Sequence, residues 1–170
     1  MSTLKVNSII PVAGVPTGGG GGITQIKQAF KTDQFTDNST NYVDITGLSV
    51  AITPTSTSSK ILITCHVHCA CTDAGMLRLL KGSSVIAVGT HSSSGNDPNG
   101  RGFALVRQEK NNETISATVE FLDSPSTTSE TTYKIQCRAP SSSNPFLVNR
   151  RDSNDFYSLV SSITVMEVSA

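Results

Sequence analysis

The 170-residue chain predicts an all-β fold. Apolar residues recur at every second position in several windows, and no stretch makes a convincing helix. Ser (24) and Thr (20) make up 44 of the 170 residues, charged residues only 15%, and Trp is absent, a balance suited to strands and turns rather than salt-bridged helices. Turn signals divide the chain into roughly eight to ten strands with several long loops, and no repeat at a fixed longer period is present. This pattern predicts an antiparallel β-sandwich of jelly-roll type over residues 23–170, preceded by an extended arm and glycine linker at 1–22.

The longest uninterrupted strand candidate runs from Lys60 to Thr72, with β-branched Ile61, Ile63, Thr64 and Val67 and no Gly or Pro. Alternation places Ile61, Ile63, Cys65, Val67, Cys69 and Cys71 on one apolar face and Leu62, Thr64, His66, His68 and Ala70 on the other. The second face is too polar for a core and too apolar for free water, which is the character of a subunit contact.

The remaining elements follow in order. Ile23 to Phe35 is a first strand region in which Ile26 and Phe30 are the expected buried residues. Asp37 to Thr40 turns the chain, Tyr42 to Ile45 is a short strand, and Leu48 to Thr53 points Leu48, Val50 and Ile52 inward. Pro54 to Ser59 leads into the central strand. Met76 to Leu80 and Val85 to Thr90 form a hairpin over Lys81 to Ser84, where Gly82 can supply a positive φ. His91 to Gly102 is rich in Ser, Gly and Asn and reads as a long exposed loop. Phe103 to Val106 is a strand and Glu109 to Thr114 a turn. Ile115, Ala117, Val119 and Phe121 alternate inward, as do Tyr133, Ile135, Cys137 and Ala139. Pro140 to Tyr157 is a second long loop with a short Phe146-Leu147-Val148 run inside it. Leu159 to Val168 closes the fold, apolar enough on both faces to lie between a core and something else.

Composition excludes several function classes. A formal net charge of zero argues against nucleic acid as the main partner. No apolar run is long enough for a membrane-spanning helix, and the first residues lack a secretory signal's apolar core, so synthesis in a cytoplasm is expected. Cys65, Cys69, Cys71 and Cys137 fall on apolar strand faces and read as reduced core side chains rather than as disulfide staples or a zinc site, which usually takes ligands from tight Cys-x-x-Cys turns. No Ser sits in a Gly-x-Ser-x-Gly elbow and no acid pair can be placed across a cleft, so a noncatalytic protein without cofactors is expected. The glycine run lacks a following Gly-Lys-Ser/Thr and precedes a strand, so it is not a phosphate loop.

Residues 1–22 do not read as core. Leu4, Val6, Ile9, Ile10, Val12 and Val15 are apolar, Pro11 and Pro16 impose an extended path, and Gly18 to Gly22 form a hinge. A disordered terminus should be poorer in Ile and Val, which favours an anchoring peptide that docks on another chain.

Four stretches carry a family resemblance: Ser2-Thr3-Leu4-Lys5-Val6-Asn7-Ser8-Ile9-Ile10-Pro11; Val12-Ala13-Gly14-Val15-Pro16-Thr17 with its glycine run; Pro54-Thr55-Ser56-Thr57-Ser58-Ser59-Lys60-Ile61-Leu62; and Ser162-Ile163-Thr164-Val165-Met166-Glu167-Val168. Together they resemble tail-fibre and other virion proteins of bacteriophages that infect marine cyanobacteria. The resemblance implies a virion-attachment peptide at Leu4 to Pro16, an exposed β domain after it, a homotrimer, and a place in the virion on either the tail or the capsid. A tail fibre or adhesin is one expectation, a capsid decoration or cement protein another, and a free lectin-like or metal-binding module a third that would not need the arm.

Three constellations remain. His66 and His68 place two imidazoles about 7 Å apart on one strand face. They read as an interface or surface pair, with a metal site the alternative, since His-x-His alone is weak evidence and nothing nearby fixes the tautomer. Arg151, Asn154, Asp155 and Tyr157 could bind a sugar, though a loop pinned by local or intersubunit ion pairs is the favoured reading. Asp97, Asn99 and Arg101 lie on the freer surface and are the better candidates for contact with a host glycan or protein.

Overall fold

The computed structural model describes residues 22–90, 100–108, 113–151 and 157–169. Within them lie eleven strands: β1 (Ile23–Lys31), β2 (Phe35–Asp37), β3 (Val43–Ile52), β4 (Lys60–Ala70), β5 (Gly75–Lys81), β6 (Ser84–Ile86), β7 (Ala104–Val106), β8 (Ile115–Asp123), β9 (Thr131–Arg138), β10 (Phe146–Val148) and β11 (Ser161–Val168). The described residues contain no helix, and so none long and apolar enough to cross a membrane.

The strands form two antiparallel sheets. In the six-stranded sheet, Cys69 pairs with both Ile115 of β8 and Val148 of β10, so these two strands lie on opposite edges of β4. Strand β11 pairs with Lys60 to His66. It therefore shares an edge of β4 with β10, and beyond them β1 follows β11 while β2 follows β10. The five-stranded sheet is built the same way: β9 takes one edge of β5, β6 and β7 share the other, and β3 lies beyond β9.

One hydrophobic cluster draws on both sheets. It includes Ile61, Ile63, Cys65, Val67 and Cys69 of β4, Leu77 and Leu79 of β5, Tyr133, Ile135 and Cys137 of β9, and Ile163 and Val165 of β11, all fully buried. The faces expected for the central strand, for Leu48, Val50 and Ile52, and for Tyr133 to Ala139 are the observed ones. All four cysteines are free and buried. Burial pushes the Cys65 and Cys69 thiols up to about 12 and raises Cys137 as well, so they pack as protonated apolar groups.

Other expectations need correction. Ile26 and Phe30 are not buried: they are 57% and 58% exposed, while Lys31 is buried. The pairing of β1 with β11 sets Ile26 opposite Met166 and Phe30 opposite Ser162, on the face away from Ile163 and Val165. Apolar spacings of three and four in this stretch gave no period-two signal from which to choose a face. Tyr42 to Ile45 and Leu48 to Thr53 are one strand, β3, whose ladder breaks between Asp44 and Ser49. The break lets Ile45 and Leu48, of opposite parity, both point inward, and Gly47 within it has φ 86°. Phe35 to Asp37 form a strand, although Asp37 Oδ1 still accepts the Ser39 N–H (2.7 Å) as the turn begins. Phe146 to Val148 is not a run within a loop but a buried member of the six-stranded sheet. Gly102 is not part of a free loop either, since a Cβ there would lie 2.1 Å from the Leu77 carbonyl oxygen. The hairpin over Gly82 forms as expected, with φ 58° at that residue and a shorter second strand.

Buried polar groups fix the ends of the sheets. Asn149, fully buried with φ 60°, donates from Nδ2 to the Lys31 and Asp33 carbonyls (both 3.0 Å), and its Oδ1 accepts from Ser161 Oγ (2.6 Å). Its N–H donates to His68 O (2.9 Å) and its carbonyl accepts from Leu159 N (3.0 Å). At the other end, the Glu167 carboxylate accepts from Gln25 Nε2 (2.6 Å), Thr55 N (2.7 Å) and Thr55 Oγ1 (2.6 Å). Burial alone would raise its pKa, but these hydrogen bonds outweigh that and hold it at about 2, against an ordinary 4.5. Asp123 accepts from Tyr133 Oη (2.7 Å) and pairs with Lys81 (3.0 Å), joining the two sheets.

Asn149→Ala should lower the unfolding free energy by about 3 kcal/mol, from three side-chain hydrogen bonds at about 1 kcal/mol each. Asn149→Gly, which tolerates the left-handed backbone, should lose less; urea midpoints at unchanged m-value measure both. Between pH 4.5 and pH 2 the unfolded chain binds more protons at Glu167 than the folded protein does. Stability is therefore expected to fall as pH drops through this window, and Glu167→Gln should flatten that part of the profile.

Candidate interaction face

The outward face of the six-stranded sheet is the best candidate site. The registers bring Ile26 of β1, Met166 of β11, Leu62 of β4 and Leu122 of β8 into one row across four strands. At a strand spacing of about 4.8 Å this row is about 14 Å long. Ile26 and Leu122 are more than half exposed, and Leu62 and Met166 half-buried. The next row is polar, with Gln28, Thr164, Thr64 and Glu120, and Gln28 Nε2 donates to Thr164 Oγ1 (2.8 Å). A third row holds exposed Phe30 with Ser162, His66 and Thr118.

Folding does not account for the apolar row, because the opposite face of the same strands already fills the core. Covering Ile26, Phe30 and Leu122 would contribute roughly 1 kcal/mol each, given that full burial of such side chains contributes about 1.5–3 kcal/mol. Their sum, about 3 kcal/mol, is below the roughly 4–15 kcal/mol entropic cost of association, so one such face is insufficient alone, whereas two facing copies, at about 6 kcal/mol, exceed the lower bound.

His66 and His68 stand at the polar end of this face. Their rings meet edge-on, with centroids 4.8 Å apart and planes at 69°, and the two Nε2 atoms are 3.2 Å apart. His68 Nδ1 lies 3.0 Å from Ser116 Oγ on β8, so a hydrogen-bond partner is present nearby where the sequence suggested none. Burial, and then the neighbouring His66, lower the pKa of His68 below its ordinary value.

Leu4, Val6, Ile9, Ile10, Val12 and Val15 of the arm lie outside the described residues, as do Asp97, Asn99, Asn154 and Asp155. Arg101 is exposed and lines a cleft of about 240 Å³ with Met76, Gly89 and Phe103; its Nε donates to Gly89 O (3.0 Å), and its carbonyl accepts from Tyr42 Oη (3.2 Å). Arg151 and Tyr157 are brought together, with the guanidinium 4.4 Å from the ring centroid beside a cleft of about 290 Å³ that Thr114 and Leu159 also line. A stacked cation of this kind holds Arg151 against the Tyr157 ring.

Sequence reasoning missed the apolar row. Leu122 continues the polar series Ser116, Thr118, Glu120, and Leu62 and Met166 likewise fall on the less apolar faces of their strands, so each residue carried a weak signal. Only the register shows that they are neighbours.

No known family model matches the chain, and no curated protein matches its sequence.

Ile26→Lys and Leu122→Lys are each expected to change stability by no more than about 0.5 kcal/mol, as exposed positions do. Ile63→Ala, on the buried face of the same sheet, should cost about 2–5 kcal/mol in the same denaturation experiment.

Proposed function

We propose that this chain is a noncatalytic structural component of a bacteriophage virion: a homotrimeric, jelly-roll β-sandwich domain fixed to the particle by its N-terminal arm. It serves as a tail fibre or adhesin, made in the host cytoplasm and assembled onto the particle. The observation that carries this reading is the apolar row of Ile26, Met166, Leu62 and Leu122 on a face that the fold leaves uncovered. Such a row suits a contact between protomers, flanked by polar Thr164, Thr64 and Glu120 in the manner of an interface rim. The jelly-roll assignment draws support from two antiparallel sheets that share one core cluster and are each built with strand pairs aligned along an edge.

In this reading Leu4, Val6, Ile9, Ile10, Val12 and Val15 engage another virion protein. The segment with Asp97, Asn99 and Arg101 meets a host surface glycan or protein, and Arg151, Asn154, Asp155 and Tyr157 act at a sugar or subunit contact. Gly22 hydrogen-bonds through its carbonyl to Ser169 N (3.1 Å), so the arm joins the domain at the edge strand of the sheet bearing the row.

Light scattering of the full chain should give three times the 17.9 kDa protomer mass at micromolar concentration, and the double change Ile26→Lys, Leu122→Lys should reduce it to one. A stable monomer in the parent protein would count against the trimer. Deleting residues 1–22 should abolish incorporation into particles, and labelled particles viewed by microscopy should carry the protein on the tail; a signal over the shell would assign it to capsid decoration instead.

A further inference from the structure

We propose that His66 and His68 form a chelating site for a borderline divalent transition-metal ion, of the Ni²⁺, Zn²⁺ or Cu²⁺ class, bound through their two Nε2 atoms on the outer face of β4. Side chains two residues apart on a strand share a face, but here the rings also lean together until the Nε2 atoms are 3.2 Å apart. Two metal–nitrogen bonds of about 2.0–2.1 Å meeting at a near-tetrahedral angle span about 3.3 Å, so the separation of the two nitrogens matches the bite of a chelate.

The surroundings fit the same chemistry. Ser116 Oγ, 3.0 Å from His68 Nδ1, is placed to accept that nitrogen's proton and so leave Nε2 with its lone pair, the outer-shell arrangement usual for a metal-bound imidazole. The His68 backbone is held on both sides, its N–H donating to Ser161 Oγ (3.0 Å) and its carbonyl accepting from Asn149 N (2.9 Å). Without metal, one N–H···N hydrogen bond closes the pair, with His66 donating from Nε2. On binding, His66 carries that proton on Nδ1 instead, so both Nε2 lone pairs face the ion with no net proton or electron change. The cross-strand neighbours are Ser162, Thr118 and Ser116, hydroxyls rather than carboxylates, which disfavours Ca²⁺ and Mg²⁺ and suits nitrogen-seeking ions. His66 is exposed and His68 half-buried, so an ion can enter and keep water in its remaining positions.

Titrating the full-length, tag-free chain with NiCl₂ by calorimetry tests the site. Saturable binding is expected at no more than one ion per chain. His66→Ala and His68→Ala should each weaken it at least tenfold, Ser116→Ala about tenfold, and His91→Ala not at all. The Nε2 resonances of both His66 and His68 should shift or broaden as Ni²⁺ is added. Parent-like affinity in either the His66 or the His68 variant, loss of binding in the His91 variant, or unperturbed Nε2 resonances at saturation would overturn the proposal. Unchanged thermal unfolding of each variant verifies that the fold is intact.

Discussion

The structure depends on how one edge of β4 changes partner at His68. Strand β11 pairs with β4 as far as His66, and β10 begins at Cys69. The backbone groups of His68 fall in the gap, where buried and unpaired they would cost several kcal/mol. Ser161, the first residue of β11, accepts its N–H through Oγ, and Asn149, the residue after β10, donates to its carbonyl. The Asn149 side chain then bonds Ser161 and the end of β1, so three column ends close on one buried amide. The left-handed backbone at Asn149 is what lets the chain leave β10 there, and Asn tolerates it better than most residues do.

The other charged groups taken into the fold follow the same rule. Glu167 is buried against the β1 and Thr55 side of the sheet, and Asp123 ties Tyr133 of one sheet to Lys81 beside it. Each carboxylate is surrounded by donors that satisfy its oxygens where water is excluded. Between these polar ends the core is built from small and branched apolar side chains, with four free, buried cysteines among them. Close packing there leaves the outer face free to vary without loss of fold.

That outer face divides into two zones. An apolar row crosses four strands at one end, and a converging histidine pair backed by a serine occupies the other. Neither is required by the core, because the strands that carry them already bury their opposite sides. The His68 backbone links the second zone to the edge handover, so the constraint that closes the sheet also positions the imidazole. The exposed zones and the core thus share a strand but use different faces of it.

The sequence by itself determined the fold class, the inward faces of the central strand, of Leu48 to Ile52 and of Tyr133 to Ala139, the Gly82 hairpin and the burial of the cysteines. These follow from alternation and turn chemistry, which are local and need no partner strand. It also marked the second face of β4 as suited to a contact, but chose the wrong face for Ile26 and Phe30, because the direction a strand turns is set by its neighbour's register. The apolar row, the approach of the two imidazoles, the Ser116 partner and the Asn149 hub were decided only by tertiary structure. Each joins residues far apart in the chain, and cross-strand register is a property of pairs that no single stretch of sequence encodes.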